Sequence, residues 1–173
     1  TAVGSTLYFQ ANDGTNGTEF WKSDGTSSGT VMVKDINSGS GSSYSSDFTA
    51  VGSTLYFEAH DGTNGYELWK SDGTSSSTVM VKDIHSGSVS SSLRYLTPIG
   101  NTLYFRADDG TNGYELWKSD GTASGTVMVK DINSGSGSSY PEKFTAVGST
   151  IYFSANDGMN GHELWKSDGT TSG

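Results

Sequence analysis

Four stretches of this 173-residue chain set hard oxygen donors at one short, fixed spacing: Asp13, Asn16 and Glu19; Asp61, Asn64 and Glu67; Asp109, Asn112 and Glu115; Asp157, Asn160 and Glu163. Each reads D-G-x-N-G-x-E. Carboxylate and carboxamide oxygens, joined by loop carbonyls, are what calcium takes, roughly six to eight oxygens at about 2.4 Å. The spacing therefore offers one calcium ion per copy, although it is not the EF-hand pattern, and the Glu falls where a strand should carry its side chain away from the loop. A second chemistry accounts for the same residues. Asp-Gly and Asn-Gly are the leading hairpin-turn dipeptides because they tolerate positive φ, and Asp and Asn side chains bond the amides of their own loop. Turn chemistry is the preferred reading, with calcium as the alternative and no other cofactor expected.

Aromatic residues raise the second chemistry, sugar stacking. Trp21, Trp69, Trp117 and Trp165 recur at one fixed place beside Leu or Phe. An indole in every copy, mid-strand, reads as core rather than as a ligand platform. Ligand candidates lie instead where the copies differ. One position carries Thr18, Tyr66, Tyr114 and His162, and another carries Gln10, Glu58, Arg106 and Ser154. Tyr66, Tyr114 and His162 are the candidate contacts to a glycan, with drift of exposed surface as the preferred explanation of the variation.

Catalysis finds little support. His60, His85 and His162 stand at three different places in the repeat. No nucleophile, base and orienting acid share a spacing, and glycoside hydrolysis needs two acids facing across a cleft. Lys34 and Asp35, with their copies Lys82/Asp83 and Lys130/Asp131, are strand neighbours that should pair with adjacent strands or blades. No catalytic residue is assigned, and an enzyme is not expected.

The elements that would hold these residues follow from periodicity. The four copies are 48 residues apart without insertion or deletion, giving full periods 1–48, 49–96 and 97–144 and a partial one, 145–173. The second period predicts strands at 48–52, 54–59, 66–71 and 78–84, each β-branched and aromatic and each bounded by turn residues. No segment has a helical period. Short hairpin links and one longer Ser/Gly crossover per period describe the four-stranded antiparallel blade of a β-propeller. The last blade should lack its fourth strand, which leaves an edge at 162–167 open to pairing.

The copies "ELWKSDGT" at 67, 115 and 163, with "EFWKSDGT" at 19, resemble the namesake motif of the bacterial ELWxxDGT-repeat proteins. "LYF" before the motif and "VMVKDI" after it are similar to that family's pattern, and the likeness runs the length of the chain. The resemblance implies propeller-like repeats in large secreted or surface-attached bacterial proteins, and little about activity.

The net charge of −9 argues against nucleic acid and anionic membrane surfaces. With no Cys there is no disulfide framework and no thiolate chemistry. No apolar stretch approaches the roughly 20 residues of a membrane helix, and no signal peptide is visible. The resulting expectation is a non-enzymatic extracellular or cell-surface propeller serving as an interaction, adhesion or structural scaffold. A glycan-binding propeller with one shallow, calcium-assisted site per blade is the alternative. An arc of blades exposes apolar faces at both ends. A homodimer closing an eight-bladed ring is the expected partner arrangement, against a four-bladed ring or the rest of a longer chain. Cell-surface glycans or proteins are the further partners.

Overall fold

The computed structural model describes residues 1–173, and it is all β: fifteen strands and no helix. In chain order the strands are β1 (Ala2–Val3), β2 (Thr6–Asn12), β3 (Thr18–Ser23) and β4 (Val31–Lys34); β5 (Ser46–Val51), β6 (Thr54–His60), β7 (Tyr66–Ser71) and β8 (Val79–Lys82); β9 (Arg94–Ile99), β10 (Thr102–Asp108), β11 (Tyr114–Ser119) and β12 (Val127–Lys130); and β13 (Glu142–Val147), β14 (Thr150–Asn156) and β15 (His162–Ser167). They form three four-stranded sheets and one three-stranded sheet, each an antiparallel meander in sequence order. The first strands of successive sheets stand side by side, β5 beside β9 and β9 beside β13, as on the inner wall of a propeller.

The central hairpin has one register throughout. Leu55 faces Ser71, Phe57 faces Trp69 and His60 faces Tyr66, with the same pairing in the other three sheets. Alternation then sends Leu55, Phe57, Ala59 and Trp69 to one face and Tyr56, Glu58 and Leu68 to the other. Both faces are apolar because each is covered by the next sheet. Tyr8, Phe20, Val33 and Ile36 of the first sheet pack on Leu55, Phe57, Ala59 and Trp69 of the second. Tyr56, Leu68, Val81 and Ile84 of the second pack on Leu103, Phe105, Ala107 and Trp117 of the third. The third and fourth sheets meet in the same way. Phe20 stacks on Phe57 with ring centroids 4.7 Å apart. Trp69, Trp117 and Trp165 thus lie between sheets, as their fixed place implied, whereas Trp21 stands on the open face of the first sheet.

Polar staples cross the same interfaces. Lys22, Lys70 and Lys118 each donate from Nζ to the carbonyl of Gly73, Gly121 or Gly169 in the following sheet, all at 2.8 Å. Lys34 and Lys82 reach the next sheet too, at the carbonyls of Thr78 and Thr126. Gly73 has no freedom to be anything larger: its φ is +91°, and the Tyr8 hydroxyl of the preceding sheet occupies the place a Cβ would take.

Two boundaries differ by two residues from the sequence expectation, and three others by one. The fourth strand stops at Lys82 rather than at Ile84, because the Ile84 amide leaves the ladder and donates to buried Glu67. The first strand begins at Ser46 rather than at Phe48, through a bulge in which Asp47 takes φ +56°. The two later bulges place Tyr95 and Lys143 in the same left-handed region.

Candidate functional site

The D-G-x-N-G loops connect the two central strands of each sheet. In each, the Asp carboxylate accepts two amides of its own turn on one oxygen and the Asn carboxamide on the other, over 2.7–2.9 Å. The bonds from Asn16 and Asn160 hold the carboxyls of Asp13 and Asp157 below the usual range. Burial pushes Asp61 and Asp109 the other way, and the same turn bonds outweigh it. The closing glycine lies against the crossover that follows its sheet: at Gly65 (φ +70°) the Val89 carbonyl stands where a side chain would go.

The acid that completes each set turns the other way. Glu19, Glu67 and Glu115 are fully buried. Glu67 accepts the amides of Ile84 at 2.9 Å and Ser91 at 3.0 Å, and Glu19 and Glu115 hold the matching amides of their own crossovers. Burial pushes the Glu67 carboxyl up to about 7 against the pull of those bonds, and raises Glu115 likewise. In the fourth copy Glu163 is exposed. Asp13 with Asn16, and each later Asp with its Asn, are therefore brought together, while the Glu of the set serves the crossover. No group of three or more His, Asp or Glu side chains stands where it would hold a metal ion.

The histidines divide by position. His60 accepts the Gly62 amide at Nδ1, 2.9 Å, as the Asn or Asp at that place does in the other sheets. His85 lies against Gly110 of the following sheet, as Asn37 lies against Gly62 and Asn133 against Gly158. His162 is exposed on the last strand.

One region departs from the repeat. It gathers where the crossovers enter the inner strands, on the side that bears Tyr66 and Tyr114. Glu58, buried and raised by burial, accepts the Leu93 amide at 3.2 Å. Arg94 Nη1 stands 3.8 Å from both Glu58 and Asp47. Tyr66, Glu58, Ser90, Ser92 and Arg94 line a recess of about 240 Å³. Across β9 and β10, Arg94 faces Arg106. The Arg106 guanidinium lies 5.1 Å from the ring centre of Tyr95 and 5.2 Å from that of Tyr114. Tyr114 in turn stacks on Tyr140 at 5.4 Å. A wider, open recess of about 670 Å³ adjoins Asp47, Phe48, Arg94 and Tyr95.

Tyr66 and Tyr114 thus sit in neighbouring parts of one differentiated surface, and no aromatic or ionic contact ties His162 to it. Asp47, Arg94, Tyr95 and Tyr140 escaped the sequence reading. Their signal was present: aligned copies carry Asp47, Tyr95 and Lys143 at one place, Ser46, Arg94 and Glu142 at the one before it. Extending the search for variable positions into the Ser/Gly crossover finds them.

No protein-family model matches the sequence, and no curated protein matches it. Among solved structures, two crystal structures of puromycin hydrolase match the fold. One covers 96% of this chain and 26% of its own with a TM-score of 0.61, and the other, an S511A mutant complexed with PGG, covers 94% and 25% with a TM-score of 0.60. Identity is 14% in both, so the likeness is one of fold, and the chain spans about a quarter of those structures' length. The shared feature is the row of antiparallel sheets, and the architecture is that of an all-β, propeller-like repeat protein.

Proposed function

We propose that this chain is a β-propeller segment acting as a non-enzymatic interaction scaffold outside the cell or at its surface, closed into an eight-bladed ring by a second copy. The reading rests on the resemblance to ELWxxDGT repeats and on one observation, the match between the two end faces. Leu7, Phe9, Ala11 and Trp21 form a face like the one that Leu55, Phe57, Ala59 and Trp69 bury against the first sheet. Leu164 and Tyr152 belong to the opposite kind of face, and Leu164 is 79% exposed where Leu116 is 1% exposed. Two faces that pack together three times within the chain stand unpaired at its ends, and a head-to-tail contact between copies buries both. Support for the non-enzymatic part is that the repeated carboxylates are occupied by amides of their own turns and crossovers.

Sedimentation velocity tests the ring. A dimer that Leu164→Asp converts to monomer, with an unchanged β spectrum, is the expected result. A wild-type chain that stays monomeric at high micromolar concentration overturns it.

A further inference from the structure

We propose that Arg106, held between Tyr95 and Tyr114, binds the carboxylate of an acidic sugar, with a neighbouring tyrosine face stacking on the sugar ring. The proposal is independent of ring closure, because Tyr95, Arg106, Tyr114 and Tyr140 all belong to the second and third periods of one chain.

A substitution inside the repeat sets Arg106 apart. At the place of Arg106 the preceding sheet has Glu58, whose carboxylate accepts the Leu93 amide. One period after Leu93 stands Pro141, which has no N–H to offer. The acid and its donor are lost together, and a guanidinium replaces the acid. That guanidinium gains no carboxylate in exchange: the ion pairs of the chain involve Arg94 and Lys143. Its Nε is buried without a hydrogen-bond partner.

Charge sharpens the point. The chain has only two arginines, in a protein with 19 acids, and they face each other across β9 and β10. Like charges directly opposite in a sheet destabilise it. Asp47 and Glu58 stand beside Arg94, whereas Arg106 makes no ion pair. An anion at the Nη atoms of Arg106, which lie outside the buried part of the side chain, offsets this repulsion. The two tyrosine rings keep the planar fork in place through cation–π contact, so little side-chain freedom is lost when a carboxylate is bound in two-point fashion.

The surroundings select the rest of the ligand. Tyr95 is 42% exposed and Tyr140 48% exposed, presenting aromatic surface beside the fork. The adjoining recess is open and shared between polar and apolar residues rather than being a closed apolar pocket. Aromatic surface with one forked cation suits a uronic acid, whose ring has an apolar C–H face and whose carboxylate is planar. The net charge of −9 opposes a dense polyanion, which leaves a short or sparsely charged acidic glycan.

The test is titration of the whole chain with digalacturonate, its methyl ester and a sulfated monosaccharide, followed by NMR, with the Arg106 Nε–H signal as reporter. The expected result is millimolar or tighter binding of digalacturonate that shifts this signal, with at least about tenfold weaker binding of the ester, as loss of a charge-assisted forked contact requires. Arg106→Gln should lose the same factor. Arg106→Lys, which keeps the charge and tests the fork, should weaken binding nearly as much. Equal binding of acid and ester, preference for the sulfated sugar, an unmoved Nε–H signal, or full binding by a folded Arg106→Gln chain overturns the proposal.

Discussion

Leu116 and Leu164 occupy the same place in consecutive repeats, within the same four residues, Glu-Leu-Trp-Lys, and paired the same way to the strand before them. One is 1% exposed and the other 79%. Glu115 and Glu163 differ as sharply, one sealed around the amides of Ile132 and Ser139, the other in solvent. Local sequence and hairpin register are constant across the comparison. What changes is the presence of a following sheet and a crossover. A blade of this protein does not contain its own core: half of each core belongs to its neighbour, and the acid that opens the ELW motif is a structural ligand only when a crossover comes back to it.

Truncation at the two leucines should split the comparison most widely. Leu116→Ala, in the buried member, should cost about 2–5 kcal/mol of unfolding free energy through lost transfer and a cavity. Leu164→Ala should stay within about 0.5 kcal/mol in dilute, monomeric protein. Equal losses in urea melts of the two variants would show that the end face is covered under those conditions.

The two glutamates should differ next. Glu115→Ala strands the buried Ile132 amide, worth about 1–3 kcal/mol when its acceptor is removed, and takes one of two acceptors from the Ser139 amide, which keeps the Tyr114 carbonyl at 3.0 Å. Glu163→Ala should be close to neutral, and hydrogen exchange at Ile132 and Ser139 should rise in the first variant only. Unchanged protection at those amides would remove the crossover role assigned to the acid.

The smallest effect is in pH. Glu67 has its folded-state carboxyl raised from an ordinary 4.5 to about 7 by burial. Folding therefore favours the protonated form, so this contribution is fully present below about pH 4.5 and is lost as pH rises through about 7. The turn aspartates act in the opposite sense: lowered in the folded state, they stabilise above their unfolded value, and that contribution fades as pH falls through the folded one. Thermal melts between pH 5 and 8 should show Tm falling with pH in the wild type and falling less in Glu67→Gln, with a residual slope from Glu58 and Glu115. A slope identical in the two proteins would mean that Glu67 does not titrate in this window.

Much of this was legible before any coordinates. Hairpin positions followed from the alternation of Leu55, Phe57 and Ala59 with Tyr56 and Glu58, since a period of two identifies a strand and its faces. The buried place of Trp69 and Trp117 followed from recurrence at a fixed position. The Asp–Asn turn bonding was readable too, because those bonds span only two or three residues. The destination of Glu67 was not, since its amide donors lie 17 and 24 residues onward in a Ser/Gly stretch with no pattern of its own. Arg106 showed in the sequence as a variable position, but its flanking rings come from β9 and β11, and the amide donor that Glu58 uses in the preceding sheet is lost at Pro141, 35 residues onward.

The amino-acid sequence by itself determined the 48-residue unit, the alternating strands and the turn chemistry. These depend on neighbours a few residues apart, whose side-chain directions and allowed dihedrals are properties of the local chain. Only the tertiary structure decided that each core is shared between sheets, that one glutamate per unit is turned inward to hold a crossover, and that two arginines meet across one strand pair. Those outcomes depend on which surfaces exclude water from one another, and burial is a property of the assembled sheets rather than of any segment within them.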